Sequence, residues 1–282
     1  NLRYDQWKSI EPYLANYFSV TSDEVYFSIL PTATQYSRNA IFSGLMPSEM
    51  QKLHPEWWKN DTDQGGKNMF EKDFLEAQLA RLGKGNLKFS FNKITNIDAG
   101  KKLVDNMHSL SKNNLNVIVY NFVDMLSHAR TDMKVIKELA ENTAAYRSLT
   151  SSWFEHSPLK EMLQFISKSN SKLILTTDHG TIQVKKPSKV IGDKEITTNL
   201  RYKQGKNMKF QSGEVFEIES PEDVYLPSVN LSSKYIFAKE DYFFAYPNNF
   251  NYFVNHYKDT FQHGGISLEE MLIPLVVLKP KS

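Results

Sequence analysis

The chain has 282 residues, 40% hydrophobic and 23% charged, and 34 Lys and Arg against 32 Asp and Glu leave a net charge of +2. That length carries one large α/β domain or two small ones with a substantial core, while the balanced charge excludes a global pull toward nucleic acid or membrane and no apolar run approaches the ~20 residues of a membrane span. The absence of cysteine excludes disulfides, thiolate zinc sites and cysteine nucleophiles and suits a reducing cytoplasm, so metal chemistry must use carboxylate, imidazole and hydroxyl ligands.

Trp7, Ile10, Leu14 and Phe18 form an amphipathic stretch, and "EVYFSIL" at 24–30 reads as a short strand. After a turn at Pro31 the pattern predicts a helix from Gln35 to Ser43, ended by Gly44 and Pro47. Residues 48–66 read as a polar loop. A helix follows from Lys67 to Leu82 on the spacing of Phe70, Phe74, Leu75 and Leu79, then a strand in "LKFSFNKIT" and a helix over Ala99–Leu110. "NLNVIVYNFVD", 114–124, is the first strongly apolar buried strand. "TDMKVIKELAENTAAY" reads as one amphipathic helix and "SPLKEMLQFISKS" as another, with Ser157 at the N-cap and Pro158 at the first helical position. "SKLILTTDHG" is the second buried strand, and the order strand, helix, helix, strand predicts parallel pairing of the two through a right-handed crossover. From Lys185 to Tyr257, short alternating strands, turns and many aromatics predict a β-rich insertion or cap. "FQHGGISLEEMLIPLVVLKP" then gives a glycine turn, one helical turn and a strand returning to the sheet. The fold class is therefore α/β, a mixed sheet flanked by helices. The start at Asn1, with no Met and no preceding strand, reads as a piece of a longer protein.

Both buried strands end in the same residue types. Asp124 closes the first, with His128 four residues on and so on one side of a helical turn. Asp178 and His179 close the second, and converge only if the strand is already turning, as Gly180 permits. His263, before Gly264 and Gly265, supplies a third histidine. Ligands of open α/β sheets bind beyond the carboxyl ends of strands, so these residues form a hard-to-borderline metal set. Asp124 reads equally as a strand-end cap and His128 as a surface histidine. His54, His108, His156 and His256 lack such neighbours and read as structural. Thr34, at a helix N-terminus, is placed where backbone N–H groups and the dipole favour an anion; it is either a nucleophile toward phosphorus or simply an N-cap.

"PTATQYSRNAIFSG" resembles the nucleophile segment of the alkaline phosphatase superfamily, particularly its nucleotide phosphodiesterase branch, where a small residue and Gly stand nine and ten positions after the nucleophile, as Ser43 and Gly44 do here. Asp124 and His128 match that family's D-x-x-x-H ligands, Asp178 and His179 its DH pair, and His263 its late histidine, in the same order. "NAIFSGLMPSEM", "NFVDMLSHAR" and "FQHGGISLEEMLIPLVVL" resemble the PglZ domain, and within it the effector domain of PorX-like response regulators, nearly throughout. The resemblance implies an alkaline-phosphatase-like fold over 1–282, with 185–257 as the insertion and a receiver and helical linker upstream. It also implies a first sheet strand, ending in one more Asp ligand, that is missing ahead of Asn1. One metal would sit on Asp124, His128 and His263, the other on Thr34, Asp178 and His179, commonly zinc, about 4 Å apart.

Arg38 lies one helical turn beyond Thr34 and either binds a substrate phosphate oxygen or is solvated. The stretch 185–209 holds eight Lys and Arg against two acids; it either guides a polyanion or is solvated surface. The first functional expectation is a zinc-dependent phosphodiesterase acting on nucleotides or cyclic and short oligonucleotides through a Thr34 phosphoenzyme. By resemblance it is a cytoplasmic, homodimeric two-component effector in type IX secretion, partnered by a sensor histidine kinase and a sigma factor. The alternatives are a catalytically idle nucleotide-binding or protein-docking module and a plain phosphomonoesterase.

Overall fold

The computed structural model describes residues 1–61, 63–123, 126, 133–192, 197–228, 230 and 232–281. In chain order the described elements begin with α1 (Tyr4–Leu14), β1 (Phe18–Phe27), α2 (Thr34–Ser43), α3 (Pro47–Leu53) and α4 (Glu71–Arg81). They continue with β2 (Phe89–Ile94), α5 (Ile97–Leu110), β3 (Leu115–Tyr120), α6 (Lys134–Leu139), α7 (Thr143–Glu155), α8 (Pro158–Ile166) and β4 (Leu173–Thr176). Next come β5 (Ile182–Gln183), β6 (Lys186–Lys189), β7 (Tyr202–Gly205), β8 (Val215–Ile218), β9 (Lys234–Ala238) and β10 (Tyr242–Ala245). The last are α9 (Phe250–Tyr257), β11 (Phe261–Gln262), α10 (Leu268–Met271) and β12 (Leu272–Pro280). The chain divides into two units, one of Asn1–Tyr26, Gly83–Thr177 and Ile273–Ser282, the other of Phe27–Leu82 and Asp178–Leu272.

In the first unit, Trp7, Ile10 and Leu14 recur at helical spacing on α1 and are buried with Phe18, Phe154, Leu163, Val276 and Leu278. β1, β12 and β4 form a sheet in that order. β1 starts at Phe18, earlier than the sequence pattern suggests, because Phe18 belongs to this core. A second sheet pairs β2 in parallel with β3, from Phe89 opposite Leu115 to Ile94 opposite Tyr120. Ile94, Leu103, Met107 and Met162 form its core, so the apolar stripe of α5 has its match on β2 and α8. The expected parallel pairing of β3 with β4 is not found among the described residues. β4 lies antiparallel to β12, Leu275 opposite Thr176 and Leu278 opposite Leu173, since the C-terminal strand supplies the apolar partner. Where one helix is expected over 131–146, the described residues from 133 on form two, because Asn142 accepts from the Ala145 N–H at 3.0 Å and caps a new helix. Ser157 and Pro158 open α8 as the sequence indicates.

In the second unit, α2 ends at Gly44, whose φ of +62° is the left-handed cap that glycine adopts without strain. The expected loop at 48–66 begins instead with α3, where Pro47 takes the first helical position and the Glu49 carboxylate accepts from the Met46 N–H at 2.8 Å. Asp61, in the loop that follows, accepts from the Tyr36 hydroxyl at 3.0 Å and the Tyr202 hydroxyl at 2.8 Å. The aromatic-rich stretch forms an antiparallel sheet in the order β7, β9, β8 and a parallel pair of β6 with β10. Val190, Val215, Ile236, Ala238 and Phe244 pack inside it.

The basic stretch 185–209 is not uniformly surface. Lys185, Lys186, Lys189 and Lys209 are exposed, but Arg201 is 0% and Lys203 1% exposed. The Lys203 ammonium donates to the Thr197 carbonyl at 2.7 Å and the Tyr246 hydroxyl at 3.1 Å, and lies 4.5 Å from the Tyr246 ring centre. Burial lowers its pKa from the ordinary 10.5 to about 7, against the opposing charge of Asp61. Below pH 7 both folded and unfolded chains carry the proton and the burial cost stands in full. Between pH 7 and 10.5 only the unfolded chain holds it, so this lysine makes stability rise with pH across that window. Thermal melts at pH 7 to 9 should show a rising midpoint that flattens in Lys203→Met; equal slopes in the two proteins would contradict this.

Candidate active site

Thr34 is the first residue of α2. The N-cap is Ala33, extended at φ −130° and without a side-chain cap, and its carbonyl accepts from the Tyr36 and Ser37 N–H groups, each at 2.9 Å. The capping role open to Thr34 in the sequence is thus taken by its neighbour. Its Oγ1 instead lies 3.2 Å from His179 Nε2.

His179 is fully buried. Its Nδ1 donates to the Gly180 carbonyl at 3.0 Å, which assigns the proton to Nδ1 and leaves Nε2 as the acceptor facing Thr34. Burial holds its pKa well below the ordinary histidine value, outweighing the pull of Asp178, and His263 adds to the lowering. It is therefore a neutral imidazole at pH 7. Asp178 accepts from the His179 N–H at 3.0 Å through Oδ1, while Oδ2 stands 3.6 Å from His179 Nε2. Burial opposes ionisation of Asp178, but the positive charge nearby, Arg38 included, outweighs it and holds the carboxyl well below its usual range. The turn that brings the pair together requires glycine next: a Cβ on Gly180 would fall 2.0 Å from the Glu269 carbonyl oxygen, and the Gly180 N–H donates to the Glu270 carbonyl at 2.8 Å.

His263 follows β11, which pairs antiparallel with β5 just beyond His179. Its Nδ1 donates to the Thr32 carbonyl at 3.0 Å, and its ring stacks on that of His179 with centres 4.0 Å apart. Thr32 completes the turn, its hydroxyl accepting from the Gly264 N–H at 3.0 Å and donating to the Gly265 carbonyl at 2.8 Å. Gly264 has φ +120°, and a Cβ there would meet Asn199 and Tyr202 at 2.7 Å.

Arg38 is only 12% exposed in its side chain, so the solvated alternative is set aside. Its Nε bonds Glu71 on α4, and its Nη1 is 3.8 Å from Asp178 Oδ2. Sequence reading missed Glu71, for which no local signal exists: it lies 33 residues from Arg38 and is brought in by packing of α4 on α2. Thr34, Arg38, Asp178, His179 and His263 are thus brought together, whereas Asp124 and His128 lie outside the described residues. His54 stacks on Trp57, His256 on Tyr252, and His108 meets the edge of Phe165; His156 bonds the Ser152 carbonyl.

Among the described residues no group of three or more His, Asp or Glu forms a metal-holding cluster. The donors nevertheless have the right chemistry for a divalent cation: an ionised carboxylate, a hydroxyl and two histidines. Each histidine ring is oriented by an Nδ1 bond to a backbone carbonyl, leaving Nε2 as the liganding atom.

The sequence matches the PglZ family, described as the BREX system PglZ alkaline phosphatase-like domain, over residues 1–278. No curated protein sequence matches it. The structure is similar to murine ectonucleotide pyrophosphatase/phosphodiesterase 5, solved as an inactive threonine-to-alanine variant with AMP, at a TM-score of 0.54 and 12% identity over 98% of this chain and 85% of that one. It is also similar to phosphonoacetate hydrolase from Sinorhizobium meliloti 1021 with phosphonoacetate, at a TM-score of 0.52 and 11% identity over 98% and 85% of the two chains. The same enzyme with phosphonoformate gives 0.51. At such identities these structures speak for the fold, the mixed α/β architecture of the alkaline phosphatase type. With the match running almost end to end, the chain belongs to the PglZ alkaline phosphatase-like domain family.

Proposed function

We propose that the domain is a metal-dependent phosphoester hydrolase acting on phosphodiesters, with Thr34 as its nucleophile. The observation that carries this reading is the Thr34 hydroxyl, at the first position of α2 and 3.2 Å from the neutral His179 imidazole. The hydroxyl stands at the helix N-terminus, where backbone N–H groups and the dipole would favour the anionic oxygens of a phosphoryl group, and its proton leaves as the oxygen attacks phosphorus. The Thr34 oxygen bonds to phosphorus as the bond to the leaving alkoxide breaks, and the alkoxide takes up a proton. Water then attacks phosphorus and the Thr34 oxygen departs. Arg38, bonded to Glu71 and 3.8 Å from Asp178, would meet a phosphate oxygen in this reading.

A divalent cation, when bound, would supply charge neutralisation and activation of the hydroxyl. Thr34, Asp178 and His179 would hold one ion, and His263 with Asp124 and His128 a second; we assign both as zinc, whose preference for imidazole and carboxylate this set suits. The murine neighbour with AMP bound, inactive through loss of a threonine, supports nucleotides or oligonucleotides as substrates. The exposed lysines of 185–209 would attract such anions. The PorX-like motifs support the finer reading of a homodimeric, cytoplasmic response-regulator effector with a histidine kinase and a sigma factor as partners.

The test is release of 4-nitrophenol from bis(4-nitrophenyl) phosphate and from 4-nitrophenyl phosphate. Turnover of the diester with zinc, lost on chelation and restored by zinc, is expected. Faster turnover of the monoester would mark a phosphomonoesterase, and no turnover of either would contradict the enzyme reading.

A further inference from the structure

Both histidine turns are tied to Glu270. Its backbone carbonyl accepts from the Gly180 N–H at 2.8 Å, next to His179. Its side chain accepts through Oε1 from the Gly265 N–H at 2.9 Å, two residues beyond His263. The carboxylate is completely buried and filled with donors. Arg201 Nε reaches Oε1 at 3.0 Å and Arg201 Nη2 reaches Oε2 at 2.7 Å, a bidentate pair. The Ser267 N–H and hydroxyl occupy Oε2 at 3.0 and 2.7 Å. The Arg201 fork is itself fixed by the carbonyls of Tyr242 and of Glu240, the latter at 2.8 Å. Burial works against ionisation of Glu270, but Arg201 and these donors outweigh it and hold its pKa below the usual value.

A capping box of the form S-x-x-E usually serves only to start a helix. Here it opens a helix of four residues and its glutamate carries two further loads. Gly265 lies against the guanidinium so closely that a Cβ would come within 2.7 Å of Arg201. The turn after His263, which also bonds Thr32, is thereby tied at Gly265 to Glu270 and lies against Arg201, and the turn after His179 is tied at Gly180 to the Glu270 backbone carbonyl. Granted the metal-site reading on which it rests, we propose that the buried Arg201–Glu270 pair is the positioning element of the centre, setting the spacing of His179 and His263 and through it the affinity for the cation. Partners outside the liganding set that orient ligands typically contribute 10–100-fold in metal affinity.

The test is a titration of the metal-stripped full chain with zinc against a chromogenic chelator, for the wild type, Glu270→Gln and Ser267→Ala. In Glu270→Gln an amide NH2 replaces an acceptor on one side of the carboxyl, opposing the donors there; zinc should bind about 10-fold more weakly or worse. Ser267→Ala removes a single hydroxyl donor, keeps the charge pair, and carries the test should Glu270→Gln not fold; a roughly fivefold weakening is expected. Unfolding midpoints separate the two possible roles: a purely structural residue would lower the midpoint and leave the zinc affinity of folded protein unchanged, which would overturn the proposal. Zinc binding by the wild type reports on the metal site itself. A wild type that binds none would refute that reading and this one together.

Discussion

Thr34→Ala should reduce phosphodiester turnover by about 10³-fold or more, with zinc still bound and the fold intact. The substitution removes the attacking oxygen and one prospective metal donor, but leaves the N-cap at Ala33 and the imidazoles untouched. Helix stability therefore should not fall, since Thr34 does not cap α2. Initial rates and elemental analysis on the same preparations check both halves of the expectation. Undiminished turnover would remove Thr34 as the nucleophile. Lost turnover accompanied by loss of both metals would instead make it a ligand of greater weight than its hydroxyl chemistry suggests.

His179→Ala should have an effect of similar size by a different route. It removes the acceptor 3.2 Å from the Thr34 hydroxyl and the prospective ligand together, so activity and one of about two zinc ions per chain should disappear in parallel. His263→Ala should likewise lower zinc by about one ion, yet leave the Thr34–His179 contact in place. Chelator-competition affinities measured beside rates distinguish the two, because added zinc should partly restore His263→Ala and should not restore His179→Ala. Unchanged zinc content in both variants would contradict the ligand assignment.

The parts of the site that sequence reveals are those carried by short segments. Thr34 is marked by the proline and helix signals around it, Asp178 and His179 by an apolar run breaking on Gly180, and His263 by the glycines that follow. What holds these segments together is less visible. Glu71 reaches Arg38 only because α4 packs on α2, and Glu270 meets Arg201 across 69 residues, so no local pattern links them. The run of basic residues at 185–209 hid the burial of Arg201 and Lys203, because charge alone reads as solvent exposure until the partner carboxylate and carbonyls are known. β3, β4 and β12 are plain from their apolar runs, whereas their pairing is not. β4 is apolar enough to suit either a parallel or an antiparallel neighbour, and the choice of β12 depends on the far end of the chain. α3 escaped notice since seven residues give too little periodicity, although Pro47 and Glu49 supplied its start signal.

The most direct measurement is rapid acid quench of the zinc-loaded protein during turnover of a phosphodiester, followed by peptide mass spectrometry. The expected result is a covalent adduct on the peptide holding Thr34, with the mass of the substrate's phosphoryl group and its retained ester arm, and no adduct in Thr34→Ala. Turnover that proceeds with the Thr34 peptide unmodified at every quench time, and that survives in Thr34→Ala, would contradict a threonine nucleophile in this domain.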